Sequence, residues 1–155
     1  MWRKCALVFF VVGGAACGSD PDYAPTFTGI WVGTATDTFT DVRSGQQATS
    51  QGQTAIQIQS NGKNSLLLVR FCDSNFNAGP HATPTSETEF SVQAYACTVV
   101  QNSCPEPVSL ASGSGTLASG TLTITLTGTI QAIGSATCPS GTDNFTFSLV
   151  LRRYY

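Results

Sequence analysis

Residues 121–130 read Thr-Leu-Thr-Ile-Thr-Leu-Thr-Gly-Thr-Ile, threonine alternating with large aliphatic residues. Successive side chains of an extended strand point to opposite faces. Leu122, Ile124, Leu126 and Ile130 therefore share one face, and Thr121, Thr123, Thr125, Thr127 and Thr129 share the other. One face is core and the other is wet. Residues 144–153 repeat the scheme, with Phe145, Phe147, Leu149 and Leu151 inward against Thr146, Ser148, Val150 and Arg152 outward. Working outward, the same period marks residues 29–37, 53–60, 64–72, 89–100, 108–111 and 113–117, and no convincing helical pattern intervenes.

The chain is therefore expected to be all-β. Eight strands suit an antiparallel up-and-down barrel, because closure leaves no exposed edges; a two-sheet β-sandwich is the alternative. Asn61-Gly62 predicts a tight hairpin, since this pair tolerates the positive φ angles of a type I′ turn, and Ser119-Gly120 predicts a second. Residues 73–86, which contain Pro80 and Pro84, are expected to form a long loop and a candidate lid.

The chain has 155 residues, of which 10% are charged, with 7 basic against 9 acidic. That length suits one domain. The net charge of -2 and the lack of any basic stretch beyond Arg3-Lys4 and Arg152-Arg153 argue against nucleic acid as a partner.

The amino terminus has a different character. Arg3 and Lys4 precede the apolar run 5–12, and Gly13-Gly14-Ala15-Ala16 leads to Cys17, the layout of an export signal. The 13 residues from Cys5 to Cys17 fall short of the roughly 20 that span a bilayer. Gly14-Ala15-Ala16-Cys17 resembles the lipobox of bacterial lipoproteins, with Gly14 where that family usually has leucine or a larger aliphatic residue. The resemblance implies cleavage after Ala16, a diacylglyceryl thioether and an acylated amino group on Cys17, and anchoring at the outer membrane of the cell envelope, because Gly18 is not the aspartate of the inner-membrane signal. Ordinary secretion is the alternative. The expected organisation is a signal peptide (1–16), a lipidated cysteine with a flexible tether (17–26), and a β-barrel domain (27–155).

Cleavage would leave Cys17, Cys72, Cys97, Cys104 and Cys138, an odd number for an oxidising compartment. With Cys17 lipidated, the other four form two disulfides. Strand parity in the eight-strand count points to Cys72 with Cys138 and Cys97 with Cys104, one of three connectivities open to four cysteines.

Gly29-Ile30-Trp31 resembles the G-x-W signature that opens lipocalin-like barrels. The resemblance implies that Trp31 plugs the closed end, with an arginine from the end of the barrel across its ring. Arg153 is in phase with the inward Leu151 and, in an even-stranded closure, arrives beside the first strand. Arg153 and Tyr155 also resemble the R-x-Y pair with which fatty-acid-binding barrels hold a ligand carboxylate, so both are candidate ligand contacts.

Catalytic groups are few. His81 is the sole histidine, it lies between Pro80 and Pro84, and no G-x-S-x-G elbow accompanies it. Cys97 and Cys104 favour disulfides over zinc. Glu87 with Glu89 and Asp37 with Asp41 read as solvated strand ends, without EF-hand spacing. Asn144-Phe145-Thr146 matches a glycosylation sequon but begins a strand. No catalytic residue, metal site or cofactor is expected. Two roles are expected instead: a lipid-anchored binding module for a small apolar or amphipathic ligand, or a structural or interaction lipoprotein whose barrel is filled. Gly33, Ala35, Ala94 and Ala96 are the positions expected to leave room inside.

Overall fold

The computed structural model describes residues 20–69, 71, 78–101, 103–135, 138 and 140–155. Cys17 and Cys72 lie outside these residues. A short helix α1 (Ala24–Phe27) precedes nine strands: β1 (Gly29–Asp41), β2 (Gln47–Ser60), β3 (Leu66–Val69), β4 (His81–Pro84), β5 (Glu89–Val92), β6 (Tyr95–Gln101), β7 (Cys104–Ala118), β8 (Thr121–Ala132) and β9 (Gly141–Arg153). All pairings are antiparallel. β1 pairs with β9 and β5 with β7, so β1–β5 and β7–β9 close an eight-strand up-and-down ring.

The eight strand positions differ in two places from those read in the sequence. His81–Pro84, inside the expected loop, is a strand, with Ala82 and Pro84 buried and His81 and Thr83 exposed. Residues 108–111 and 113–117 are one strand, β7, which starts at Cys104 and carries a bulge between Leu110 and Ser112 against β8. A bulge inserts one unpaired residue and flips the local phase, which mimics a strand break in the sequence. Opposite it, β5 and β6 are separated at Gln93 and Ala94 yet keep one continuous register on β7, Val92 facing Gly113 and Tyr95 facing Leu110. β6 and the first half of β7 continue the wall past the ring at one end.

Inward positions join across the ring as Leu66, Ala82, Val92, Gly113, Leu126, Phe147 and Asp37. Walking the register the other way, from Leu68 through Ile58 to Gly29, returns to β1 displaced by about ten residues, the stagger that tilts the strands of a closed barrel. The adjacent outward row is Thr36, Ser148, Thr125, Ser114, Ser91 and Thr83. Hydroxyls outside and hydrocarbon inside are the polarity of a barrel facing water, the reverse of one whose outer surface meets lipid. Among the described residues, no helix is long and apolar enough to cross a membrane.

At Ser119 and Gly120, φ values of 50° and 76° form the tight hairpin between Ala118 and Thr121. The turn at Asn61-Gly62 is longer than expected: residues 61–65 connect β2 to β3, with Gly62 at φ 108° and Asn64 at φ 49°. The cause lies in Asn64, which serves the amino-terminal segment. Its side chain accepts from the Tyr23 N–H at 2.7 Å and donates to the Pro21 carbonyl at 2.8 Å, while Asp22 accepts from the Asn64 N–H at 2.9 Å. The backbone N–H groups of Asn64 and Ala24 hold the Asp22 carboxyl below its ordinary range. Residues 21–26, expected to be part of a flexible tether, are thus clamped to the barrel.

Candidate functional site

The clamp sets α1 as a stopper. Ala24 and Phe27 are buried, and the Phe27 ring meets Phe90 edge-on at 5.0 Å. Trp31 donates its indole N–H to the Phe27 carbonyl at 2.8 Å. The Arg153 guanidinium stands 5.0 Å from the Trp31 ring centroid and donates to the Thr26 carbonyl. Behind this layer Ile58, Leu122, Ile124 and Leu151 are fully buried. Phe90 fits because Gly115 faces it: a Cβ there would stand 2.1 Å from Phe90 Cζ. This end of the barrel is solid.

The opposite end is not. A cavity of about 220 Å³ opens there, lined by Ala35, Asp37, Thr54, Ile56, Phe71 and Phe147, with Leu126 and Leu149 beneath. Of the positions expected to leave room, Ala35 does so. A Cβ at Gly33 would meet the Val150 carbonyl oxygen at 2.1 Å, and Ala94 and Ala96 are exposed, so those three add no internal space. Phe147 also packs on Phe145 in a stacked pair at 4.6 Å and meets Phe39 and Phe71 edge-on at 5.9 and 6.0 Å. The cavity therefore has an aromatic wall, an aliphatic floor, and two polar groups, the Asp37 carboxylate and the Thr54 hydroxyl.

Asp37, expected at a solvated strand end, lies in the inward phase of Trp31, Gly33 and Ala35, directly across from Phe147. Burial raises its pKa above the ordinary value, with the Ser50 hydroxyl acting in the other direction. Asp41 does belong to a wet turn, where the hydroxyl and N–H of Ser44 bond its carboxylate and lower its pKa. Asp37 was discounted in the sequence because it is charged; its period-two phase was the signal that could have found it.

The expected R-x-Y pair does not assemble as a ligand clamp. Tyr155 is fully exposed, and Arg153 is committed to Trp31 and Thr26 at the solid end.

The disulfide pairing is also corrected: Cys104 bonds Cys138, with a Cα separation of 5.6 Å. Cys97 is disulfide-bonded as well, and not to Cys104. In the β6–β7 hairpin Cys97 faces Val108, four residues from Cys104, which is about 13 Å along a strand. The overlooked β4 reverses the direction of the segment carrying Cys97, so it ends beside the mouth rather than at the solid end. Cys104–Cys138 ties the start of β7 to the β8–β9 connection at that mouth.

His81 is exposed, with Nδ1 3.3 Å from the Asn61 amide, and Glu87, Glu89 and Asn144 are exposed on strands or turns. Among the described residues, no three His, Cys, Asp or Glu side chains gather where they could hold a metal, and no polar or charged side chain is fully buried. Compared with known proteins, the chain matches no family model, no curated protein and no solved structure.

Proposed function

We propose that this chain is a lipid-anchored, non-catalytic binding module of the bacterial cell envelope, held at the outer membrane through Cys17, that takes a small apolar or amphipathic ligand into the open end of its barrel. The observation that carries the reading is the division of the interior into a solid end and a cavity of about 220 Å³ walled by Phe71, Phe147 and Ile56. Eight-stranded barrels are wide enough either to be filled by their own side chains or to hold one small ligand. The rival role, a structural lipoprotein with a filled barrel, accounts for Trp31, Phe27 and Phe90 but not for small Ala35 beside an unfilled aromatic wall. The anchor rests on the basic, apolar and small-residue succession before Cys17 and on the odd cysteine count of the mature chain. Lipid on that cysteine, with several acyl chains, holds far more firmly than a single chain would.

Native mass spectrometry of the protein taken from its own host tests the ligand: a retained small molecule is expected, and consistently ligand-free protein counts against the reading. Replacing Cys17 with Ser tests the anchor. Release into the soluble fraction is expected, and persistence in the membrane overturns it.

A further inference from the structure

We propose that the open-end cavity selects cationic amphipathic ligands, small arylalkylamines whose ammonium group pairs with Asp37 while the ring lies among Phe147, Phe71 and Ile56. This inference rests on the binding-module reading and adds the chemical class of the ligand.

Size comes first. A void of about 150 Å³ lined by hydrocarbon accepts a benzene ring, so about 220 Å³ accepts a ring with a short aminoalkyl tail. The walls then favour an aromatic ring: Phe71 and Phe147 meet edge-on at 6.0 Å, and aromatic rings prefer edge or offset partners. Charge decides the head group. Asp37 is the sole ionisable side chain lining this cavity among the described residues. No described cation pairs with it. A carboxylate drawn partly out of water is stabilised most by a cationic hydrogen-bond donor, and such charge-assisted bonds are roughly twice as strong as neutral ones. The position of Phe147 opposite Asp37 on the neighbouring strand adds an aromatic ring beside the cation. Asp41 and Asp143 face each other across β1 and β9 at the next polar level of the mouth, with Arg43 in the turn beside Asp41. A ligand carboxylate would meet Asp37 unfavourably, and among the described residues Arg153 is committed to Trp31 and Thr26 at the solid end.

The test is titration calorimetry of the full protein, shown by native mass spectrometry to have been freed of any retained small molecule, with three probes of nearly equal shape: 2-phenylethylamine, 2-phenylethanol and phenylacetate. The amine is expected to bind at least about tenfold more tightly than the alcohol, and phenylacetate more weakly than either, the tenfold reflecting one charge-assisted hydrogen bond. Asp37→Asn is expected to weaken the amine about tenfold and leave the alcohol unchanged; Asp37→Ser repeats the comparison with a smaller side chain. Equal binding of amine and alcohol to the native chain, or amine affinity indifferent to Asp37→Asn, overturns the cationic class while the binding module stands. Failure of all three probes overturns the arylalkylamine class alone, and the binding module is then decided separately by whether native mass spectrometry finds a retained small molecule.

Discussion

The guanidinium of Arg153, the last residue of β9, stands 5.0 Å from the ring centroid of Trp31, the third residue of β1, so the closing strand pair carries its own latch. The two residues face each other in the β1–β9 register, and Arg153 also bonds the Thr26 carbonyl, tying α1, β1 and β9 together at one point. A cation over an indole contributes about 0.5–2 kcal/mol, and a hydrogen bond from a charged donor adds about as much. Arg153→Ala should therefore lower the unfolding free energy by about 1–3 kcal/mol, read from the urea midpoint. Arg153→Lys should lose much of this too, because an ammonium lacks the planar fork that serves ring and carbonyl together. A midpoint unchanged in both variants would show that the latch does not hold the barrel closed.

Gly115 and Phe90 form a second pair with a sharp consequence. A methyl at position 115 would occupy the space of the Phe90 ring, 2.1 Å from Cζ, so Gly115→Ala must displace a buried ring on which Phe27 rests. Overpacking of this kind costs about 1–3 kcal/mol. Phe90→Leu alone should destabilise as well, yet the double variant should be less unstable than the sum of the two, since the smaller side chain frees the space that the methyl needs. Thermal denaturation of the four proteins in this cycle checks it, and strict additivity would contradict it.

Legibility followed how cleanly each segment obeys one rule. The threonine–aliphatic alternation of β8 and the phenylalanine–threonine alternation of β9 are each half of a two-faced strand, so the all-β class and the core rows could be read directly. The meeting of Arg153 with Trp31 follows from the same logic, because an antiparallel closure must bring the end of the last strand to the start of the first. Two features obeyed a competing rule. Pro80 and Pro84 bracket β4, and proline argues for a loop; here Pro84 occupies the end of a four-residue strand, where its buried ring packs inward. Ala111 sits in the β7 bulge, which shifts the phase by one residue and makes one strand look like two. These two errors left the strand count at eight while reversing the direction of the segment carrying Cys97. Asp37 was hidden by its chemistry rather than its position, since a carboxylate in the inward phase is more often a strand end reaching water.

The Cys104–Cys138 bridge spans 34 residues of sequence, enclosing β7, β8 and the connection to β9. A crosslink over a loop of that length contributes about 2–4 kcal/mol by restricting the unfolded chain. Replacing both cysteines with serine should lower stability by that amount. Peptide mapping without reductant should recover Cys104 joined to Cys138, and a peptide joining Cys97 to Cys104 would contradict the register of β6 on β7.

Asp37 makes stability depend on pH in a direction opposite to most carboxylates. Burial raises its pKa in the folded state, so the native chain binds this proton more tightly than the unfolded chain. The resulting contribution to stability is complete below the unfolded value near 3.8 and is lost as pH rises through the folded value. Ionising this half-buried carboxyl beside the aromatic wall therefore costs the folded chain more than the unfolded one. Asp37→Asn keeps the shape and removes the charge, so the variant should melt higher than the native chain at pH 7, by about 2 °C for a partly solvated group, and at the same temperature near pH 3. The hydroxyl of Ser50 works the other way, so Ser50→Ala should widen the gap at pH 7. Scanning calorimetry of the three proteins at both pH values provides the check. A variant that melts lower than the native chain at pH 7 would mean that the Asp37 carboxylate supports the fold, and that the cavity holds it in a polar setting rather than an apolar one.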